Sequence, residues 1–296
     1  MRPPPRLSIP LCQHDGIRGK MSYEKVEDGW KSINIFYGSH NHISNASAIP
    51  DGYFAANRWF SQYRQDEVVA RLLKGKLKGY FVDLASNDAI RISNTYALET
   101  FLKWDGICLE PNPIYWNSLS YRTCQVVAAV VGNETMKEVA FRFPKEKATK
   151  GGIIGNGFDN KVVGQNSMGM DAARLQYTVR LNDVLDRFHA PGVIDYLSLD
   201  VEGSEEFILH SFPFDKYRFN IMTLERPTAV LSSILDAKGY ILLKTLKAGA
   251  TRSRETLWAH SSILDSLDMS GLELDTQNYK YRENLPQLRI APEEVS

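Results

Sequence analysis

Cysteine is scarce in this chain, and long apolar runs are missing from it. Only Cys12, Cys108 and Cys124 occur among 296 residues, and their spacing matches neither a zinc site nor a disulfide framework. So few cysteines favour a reducing compartment, and we expect a cytoplasmic location. The longest purely apolar stretch, 126–131, is far shorter than the roughly 20 residues of a membrane-spanning helix. Residues 1–6 lack the apolar core of a secretory signal.

The chain also has no net charge. It carries 35 lysines and arginines against 35 aspartates and glutamates, and its pI is about 7.0. This balance gives no electrostatic reason to expect nucleic acid or an anionic membrane as the main partner. With 43% hydrophobic residues, the chain is typical of one soluble globular domain with additions, or at most two domains.

The segment 79–113 predicts a strand, a tight loop, a helix and a second strand. Its residues 80–84 are a short apolar run, which is typical of a strand buried on both faces. Residues 90–104 contain the apolar face of a helix, and 107–109 form the next buried strand, which ends on Glu110. This pattern is a βαβ unit, and such units bind nucleotides at the carboxyl ends of their strands.

The loop after the first strand lacks glycine, which separates two classes of nucleotide. A dinucleotide site needs a glycine-rich turn so that backbone N–H groups can approach the pyrophosphate. Here Asp83 and Asp88 would repel a diphosphate but attract the ammonium group of S-adenosylmethionine. Glu110 suits hydrogen bonding to ribose hydroxyls. Taken alone, Asp83 is better explained as a cap of the next turn and Glu110 as a solvated strand end. Their spacing across one βαβ unit favours a cofactor site instead.

The remaining pattern predicts an α/β fold with a doubly wound, mostly parallel sheet. After Glu110, Asn112 is a natural cap and Pro113 a natural first residue of a helix that leads to a strand at 125–131. The last two strands, 240–246 and 256–259, follow each other without a helix and are expected to form an antiparallel edge hairpin.

We divide the chain into an irregular extension (1–55), the main domain (56–260) and a polar tail (261–296). His40 and His42 in the extension are interpreted as a solvated loop rather than a metal pair.

Residues 145–176 interrupt the alternation of strands and helices with a long segment that contains six glycines, at positions 151, 152, 155, 157, 164 and 169. Loops of this length are usually functional or disordered. The segment is therefore a candidate lid over the acceptor pocket, and plain disorder is an equal alternative.

Three further acids follow apolar strands in the second half of the domain. Asp200 and Glu202 come after the strand at 194–199, and Glu225 ends the strand at 219–224. Glu202 is alternatively a first-turn acid of the next helix, and Glu225 alternatively a partner of Arg226. Carboxylates at strand ends can remove a proton or hold a divalent cation that acidifies a hydroxyl. We favour base catalysis, with Asp200 as the strongest candidate.

Four motifs in order resemble the FkbM-type S-adenosylmethionine-dependent methyltransferases. They are Ser-Gln-Tyr-Arg-Gln-Asp at 61–66, Phe-Val-Asp-Leu-Ala-Ser-Asn-Asp at 81–88, Leu-Glu-Pro-Asn-Pro at 109–113 and Asp-Tyr-Leu-Ser-Leu-Asp-Val-Glu-Gly at 195–203. The resemblance covers roughly 61–260. It implies the seven-stranded, Rossmann-like methyltransferase sheet and methylation of a hydroxyl, often on a sugar or natural product.

By matched position, the resemblance implies a cofactor site, and the expected fold brings the catalytic candidates together at the strand ends. The cofactor site comprises Asp83, Ala85, Asn87, Asp88, Glu110 and Asn112, and the catalytic candidates are Asp200, Glu202 and Glu225. The family usually has glycine where this chain has Ala85 and Ala89, and alanine narrows the loop.

Three functions follow as hypotheses. The favoured one is transfer of a methyl group from S-adenosylmethionine to a hydroxyl of a glycan, sugar or small metabolite. The second is a cofactor-binding protein that has lost catalysis, which the two alanines support. The third is a nicotinamide-dependent oxidoreductase, which the glycine-free, acidic loop opposes.

Overall fold

A nine-stranded sheet organises the part of the chain that the computed structural model describes, namely 21–22, 34–37, 59–143, 148–155, 157–160, 174–246 and 255–274. The strands are β1 Met21–Ser22, β2 Asn34–Tyr37, β3 Tyr80–Leu84, β4 Asp105–Leu109, β5 Gln125–Ala128, β6 Val130–Gly132, β7 Glu138–Arg142, β8 Gly152–Ile153, β9 Arg174–Arg180, β10 Val193–Leu199, β11 Arg218–Glu225, β12 Tyr240–Leu246 and β13 Glu255–His260. The helices are α1 Gln65–Leu72, α2 Tyr96–Leu102, α3 Trp116–Leu119, α4 Leu181–Arg187, α5 Glu205–Leu209 and α6 Ala229–Ala237.

The order of strands in the main sheet is β1-β2-β5-β4-β3-β10-β11-β13-β12. Strands β5, β4, β3, β10 and β11 are parallel, and β13 runs antiparallel to both β11 and β12. The chain moves outward from β3 in one direction and restarts at β10 on its other side, which creates a crevice at the carboxyl ends of these two strands. The predicted parallel sheet with an antiparallel edge hairpin is confirmed.

Apolar layers cover both faces of this sheet. Successive residues of β3 point to opposite sides, so that Phe81 packs with α1 and α2 while Val82 packs with α4, α5 and α6. Both side chains are fully buried. Burial on two faces explains why the central strands read as continuous apolar runs. Cys108 and Cys124 are free, buried thiols in this core, with their Sγ atoms 3.1 Å apart.

The interpretation of residues 1–55 as entirely irregular was wrong for two short stretches. Strand β2 pairs antiparallel with β5, and β1 pairs with β2. Without them, β5 would present a row of unpaired backbone groups at the edge of the sheet, and pairing satisfies those groups. His40 and His42 lie outside the described residues.

The apolar run at 125–131 was predicted as one strand, but the structure divides it. The chain leaves the main sheet at Ala129, whose N–H donates to the carbonyl of Val127 at 3.1 Å. It then forms β6 in a second, four-stranded sheet of order β6-β9-β7-β8. Uniformly apolar residues carry no signal for such a break, because both halves are buried.

Parts of the candidate lid (145–176) and of the predicted polar tail (261–296) are built into the fold. Within 145–176, strand β8 pairs with β7, and Arg174 begins β9. In the predicted tail, Ser261–Ser266 and Met269–Glu273 are 3-10 helices, and the N–H of Asp268 donates to the carbonyl of Leu72 on α1. Whether 145–176 acts as a lid stays a prediction.

None of the helices within the described ranges combines the length and the apolar character needed to cross a bilayer.

Candidate functional site

A cavity lies at the carboxyl ends of β3 and β4. Its volume is about 550 Å³, including space open to solvent, within the range of small-molecule sites. Loops of the main sheet supply one wall through Ala85, Asn87, Glu110 and Asn112, and the second sheet supplies an apolar wall. The apolar wall comprises Val130, Val131, Phe141, Gly152 and Ile153, and Val201 and Ser204 also line the cavity.

Glu110 occupies the centre of the polar wall and is only 3% exposed. One carboxylate oxygen accepts from the backbone N–H of Asn87 at 2.8 Å and the other from the N–H of Asn112 at 2.7 Å. Burial raises the pKa of Glu110 to about 7, although these two N–H groups oppose the shift. Each oxygen keeps a second acceptor position. Glu110 therefore ties the two strand-end loops together and can still accept hydroxyl groups.

The short helix after β4 fixes the position of Glu110. Asn112 caps it by accepting from the N–H of Ile114 at 3.3 Å, and Pro113 is its first residue, as predicted. The indole N–H of Trp116 donates to the backbone carbonyl of Glu110 at 2.8 Å. These contacts hold the acid without occupying its carboxylate.

Ala85 and Asn87 adopt left-handed backbone conformations in the loop after β3, with φ of 57° and 55°. Asparagine tolerates this region, whereas alanine is strained there by about 1 kcal/mol. The amide of the Asn87 side chain donates to the carbonyl of Ala85 at 2.7 Å and stabilises the turn. The alanine thus follows the path that glycine would take, at a modest energetic cost.

Two predicted cofactor residues, Asp83 and Asp88, do not line the cavity. Asp83 is buried and accepts from the hydroxyl of Thr95 at 2.6 Å. Asp88 caps the following turn by accepting from the N–H groups of Ile90 and Arg91 at 2.9 and 2.8 Å. In this structure both acids organise the loop that carries Ala85 and Asn87.

Asp83 lies beside a buried arginine that the sequence did not reveal. Arg122 is 1% exposed and donates to Glu99 at 2.9 Å and to the hydroxyls of Ser93 and Thr95 at 3.1 and 3.0 Å. Burial alone would raise the pKa of Glu99, but the charge of Arg122 and the hydrogen bonds from Arg122 and Thr123 together outweigh burial and hold that pKa below its ordinary value. We call Arg122, Glu99, Asp83, Ser93 and Thr95 the arginine cluster.

The three predicted catalytic acids come together at the ends of β10 and β11. Carboxylate oxygens of Asp200, Glu205 and Glu225 lie within 4.8 Å of one another, and so do those of Asp159, Glu202 and Glu225. Glu202 is not a first-turn acid, because α5 begins only at Glu205; it lies in a turn with φ of 52°.

Arg226 is the residue that the sequence analysis named as an alternative partner of Glu225. Its guanidinium pairs with Glu225 at 2.8 Å, lies 3.8 Å from Glu202 and also contacts Asp159. The predicted ion pair with Glu225 is therefore present. Because Asp159 belongs to the segment 157–160, this arginine also joins that segment to the end of β11.

Sequence reasoning missed Glu205 and Glu255. Glu255 is 2% exposed and stands directly opposite Glu225 in the antiparallel β11–β13 pair. The predicted strand at 256–259 began one residue too late to include it. Extending that strand by one residue would have placed an acid beside the end of β11. We call Asp200, Glu205, Glu225 and Glu255 the acid cluster.

Burial and mutual repulsion raise the pKa values of acids in the acid cluster. Burial raises the pKa of Asp200 well above its ordinary value, and the charges of Glu225 and Glu255 add to this effect. Burial likewise raises the pKa of Glu205 to about 7 and, with Glu225, that of Glu255 to about 8. Carboxyl groups in this state can hold a proton, accept one from a hydroxyl, or bind a cation.

Comparison with known proteins identifies the family. The model described as methyltransferase FkbM domain matches residues 83–241, which is more than half of the chain. Among solved structures, the METTL16 MTase domain is 14% identical with a TM-score of 0.38, over 72% of this chain and 70% of that one. A methyltransferase from Pyrococcus furiosus is 13% identical with a TM-score of 0.28, over 64% and 79%.

Structural scores this low carry no functional argument, and no curated protein sequence matches the chain. The family match includes both the loop after β3 and the strands that end in Asp200 and Glu225. The chain belongs to the FkbM methyltransferase family.

Proposed function

We propose that this protein transfers a methyl group from S-adenosylmethionine to a hydroxyl of a sugar or small metabolite. The observation that carries the proposal is the cavity beside Glu110. Its polar wall has a buried acid with free acceptor positions, and the loop at its edge has no glycine-rich turn for a diphosphate. Membership of the FkbM family supports the same reaction class.

The cavity wall fits a polar cofactor that carries hydroxyl groups. Glu110 would accept from ribose hydroxyls, and Asn87 and Asn112 hold it in place for that task. The hydroxyls of Ser86 and Ser204 are buried without a partner among the described residues, and Ser204 lines the cavity. Buried polar atoms of this kind are usually satisfied, and a ligand would provide what they lack.

The acid cluster would act on the acceptor. When bound, S-adenosylmethionine supplies an electrophilic methyl group on a sulfonium. The acceptor oxygen forms the new O–C bond, the C–S bond breaks, and its electron pair stays on sulfur as a neutral thioether. The hydroxyl proton must leave to a base, and Asp200 is the favoured base because it directly follows β10 beside the cavity-lining Val201, and burial raises its pKa and makes its carboxylate a stronger base. Glu202 and Glu225 would position the hydroxyl.

A cofactor-binding protein without catalysis is the second candidate, and the strained alanine favours it. Ala85 has φ of 57° at a position where the resemblance implies glycine. Binding and turnover separate the two candidates.

Calorimetry should detect binding of S-adenosylmethionine and S-adenosylhomocysteine and none of NAD⁺. Tight NAD⁺ binding with no response to either sulfur compound would overturn the cofactor assignment. Turnover should then be followed as S-adenosylhomocysteine release, with methyl-labelled cofactor and a panel of glycans and hydroxylated metabolites. Cofactor binding without label transfer to any acceptor in the panel would favour the non-catalytic candidate.

A further inference from the structure

Two groups of acids share Glu225, and they differ in how their charge is balanced. The outer group, Asp159, Glu202 and Glu225, surrounds the guanidinium of Arg226. The inner group contains Asp200, Glu205 and Glu225. Among the described residues, no lysine, arginine or histidine forms an ion pair with Asp200 or Glu205. The outer group therefore has a protein cation, whereas the inner group contacts one only through Glu225.

Two of the three acids of the inner group are buried, and Asp200 is half-buried. Glu205 is 3% exposed and Glu225 is 9% exposed, so water screens their repulsion poorly. Glu205 accepts hydrogen bonds from backbone N–H groups only, including that of Val201 at 3.1 Å, among the described residues. Those contacts position its carboxylate at the start of α5 but supply no full positive charge.

Glu255 is a second observation that points to a ligand at the inner group. It stands directly opposite Glu225 on neighbouring antiparallel strands, so both side chains project from the same face of the sheet. It is 2% exposed, and although its carboxyl group bonds to the hydroxyl of Thr223, its Oε1 atom has no hydrogen-bond partner among the described residues. Its charge acts on Asp200 and Glu225. Like charges directly opposite in a sheet destabilise it, so the pair requires a balancing charge or a proton.

We propose that Asp200, Glu205 and Glu225 bind one divalent cation of the magnesium or manganese class, with Glu255 as an outer carboxylate behind them. Three carboxylates whose oxygens lie within 4.8 Å of one another are close enough to share one ion. Oxygen ligands alone suit magnesium and manganese, whereas zinc favours nitrogen and sulfur. Sharing of protons among the carboxyl groups is the competing explanation.

The chemical role of this cation rests on the proposed methyl transfer. Val201 and Ser204 line the cavity, and each is adjacent in sequence to a residue of the inner group. A cation held there would be a Lewis acid for an acceptor hydroxyl and would lower the pKa of that hydroxyl. Asp200 would then serve as a ligand of the cation rather than as the base, and the released proton would pass to Glu202 or to water.

The test is a titration of the full chain with Mn²⁺ in the absence of cofactor. Binding is measured as the loss of the electron paramagnetic resonance signal of free Mn²⁺. We expect saturable binding of one ion that Mg²⁺ displaces. Glu205→Gln should weaken the affinity at least roughly tenfold, and Glu255→Gln should weaken it within the range of about 10–100-fold that outer-shell changes cause. Glu206→Gln is the matched control, because Glu206 is the next residue of α5 and contacts Thr228 instead.

Three results would overturn the cation site. They are absence of saturable binding, equal affinity in Glu205→Gln and Glu206→Gln, and binding that survives in Glu225→Gln. If Glu205→Gln does not fold, as judged by circular dichroism, Glu225→Gln and Glu255→Gln decide the question.

Calorimetry with S-adenosylmethionine distinguishes failure of the cation site from failure of the proposed function. Cofactor binding without Mn²⁺ binding would overturn only the proposed cation site. Mn²⁺ binding without cofactor binding would overturn the proposed methyl transfer but support the cation site. If a chelator abolishes turnover and Mg²⁺ restores it, the cation takes part in the methyl transfer.

Discussion

The arginine cluster and the acid cluster are both built on the main sheet, yet their charges are arranged differently. In the arginine cluster, Arg122 donates to Glu99 and to two hydroxyls, and Thr95 donates to Asp83. In the acid cluster, Glu225 and Glu255 face each other, and one oxygen of Glu255 has no partner among the described residues. A satisfied network stabilises the fold. In the acid cluster the only ion pair among the described residues joins Glu225 to Arg226, and buried acids in excess of their cations are typical of a place where a ligand binds.

The largest expected effect is on the acid cluster. Asp200→Asn removes both a base and a metal ligand, and turnover should fall by about 10²–10⁴-fold, the usual contribution of acid–base catalysis. Cofactor affinity should stay close to that of the unmodified chain, because Asp200 lies outside the cavity wall. Rate and calorimetric measurements check this, with the exposed Asp236→Asn as control. Full activity would exclude both roles for Asp200.

Removal of the cation of the arginine cluster should lower stability rather than turnover. Arg122→Met leaves Glu99 buried without its cation, and this should lower the free energy of unfolding by about 3–5 kcal/mol. Urea denaturation measures the effect. Arg180→Met, which breaks an exposed pair with Asp183, should change it by no more than about 1 kcal/mol. Equal effects of the two variants would contradict the distinction between the clusters.

Substitution in the polar wall of the cavity should have an intermediate effect, on cofactor affinity. Glu110→Ala should weaken S-adenosylmethionine binding by about 1.5–3 kcal/mol, the cost of lost hydrogen bonds to a charged group. Asp105→Ala, at the exposed opposite end of β4, is the matched control and should leave the affinity unchanged. Calorimetry on both variants is the measurement, and an unaltered affinity in Glu110→Ala would show that this acid does not contact the cofactor.

The same acid predicts a pH dependence. The pKa of Glu110 is raised from 4.5 to about 7 in the folded chain, chiefly by burial, so the folded state holds its proton more tightly than the unfolded state. Its contribution to the free energy of unfolding therefore falls as pH rises through that window, by at most about 1.4 kcal/mol per pH unit. Cofactor affinity should rise over the same window, since the ionised carboxylate accepts more strongly. Glu110→Gln should flatten both profiles in denaturation and calorimetry.

The smallest expected effect belongs to the strained alanine. Ala85→Gly relieves the left-handed conformation but gives the unfolded chain more freedom, so stability should change by less than about 1 kcal/mol. Cofactor affinity should be equal or slightly higher. Ala85→Val is the contrasting variant, because a β-branched residue is disfavoured at positive φ and would also narrow the cavity. Equal affinities for the glycine and valine variants would show that this loop does not limit binding.

Local patterns predicted the parts of the molecule that depend on local chemistry. The apolar runs gave the parallel strands, and the Leu-Glu-Pro-Asn-Pro motif correctly placed Glu110 and the capping Asn112 beside one cavity. The acids after β10 and β11 were brought together because neighbouring parallel strands end at the same edge.

Other features depend on contacts between distant residues, and the sequence carries no signal for those. Arg122 lies 23 residues from Glu99, and nothing local marks it as buried. Glu255 faces Glu225 only because of the antiparallel register of β13. The break at Ala129 separates two equally apolar halves, so composition alone could not reveal the second sheet.

The pairing of β3 with β10 has a consequence for how this chain folds. Tyr196 lies opposite Phe81, so the central strand pair joins residues separated by more than a third of the chain. Ordering such a long loop costs entropy before the pairing is rewarded, and long-range parallel pairing is intrinsically slow. The βαβ unit can form early from nearby residues, whereas the crevice between β3 and β10 exists only after that late closure. A chain that binds its cofactor there has therefore completed its slowest topological step.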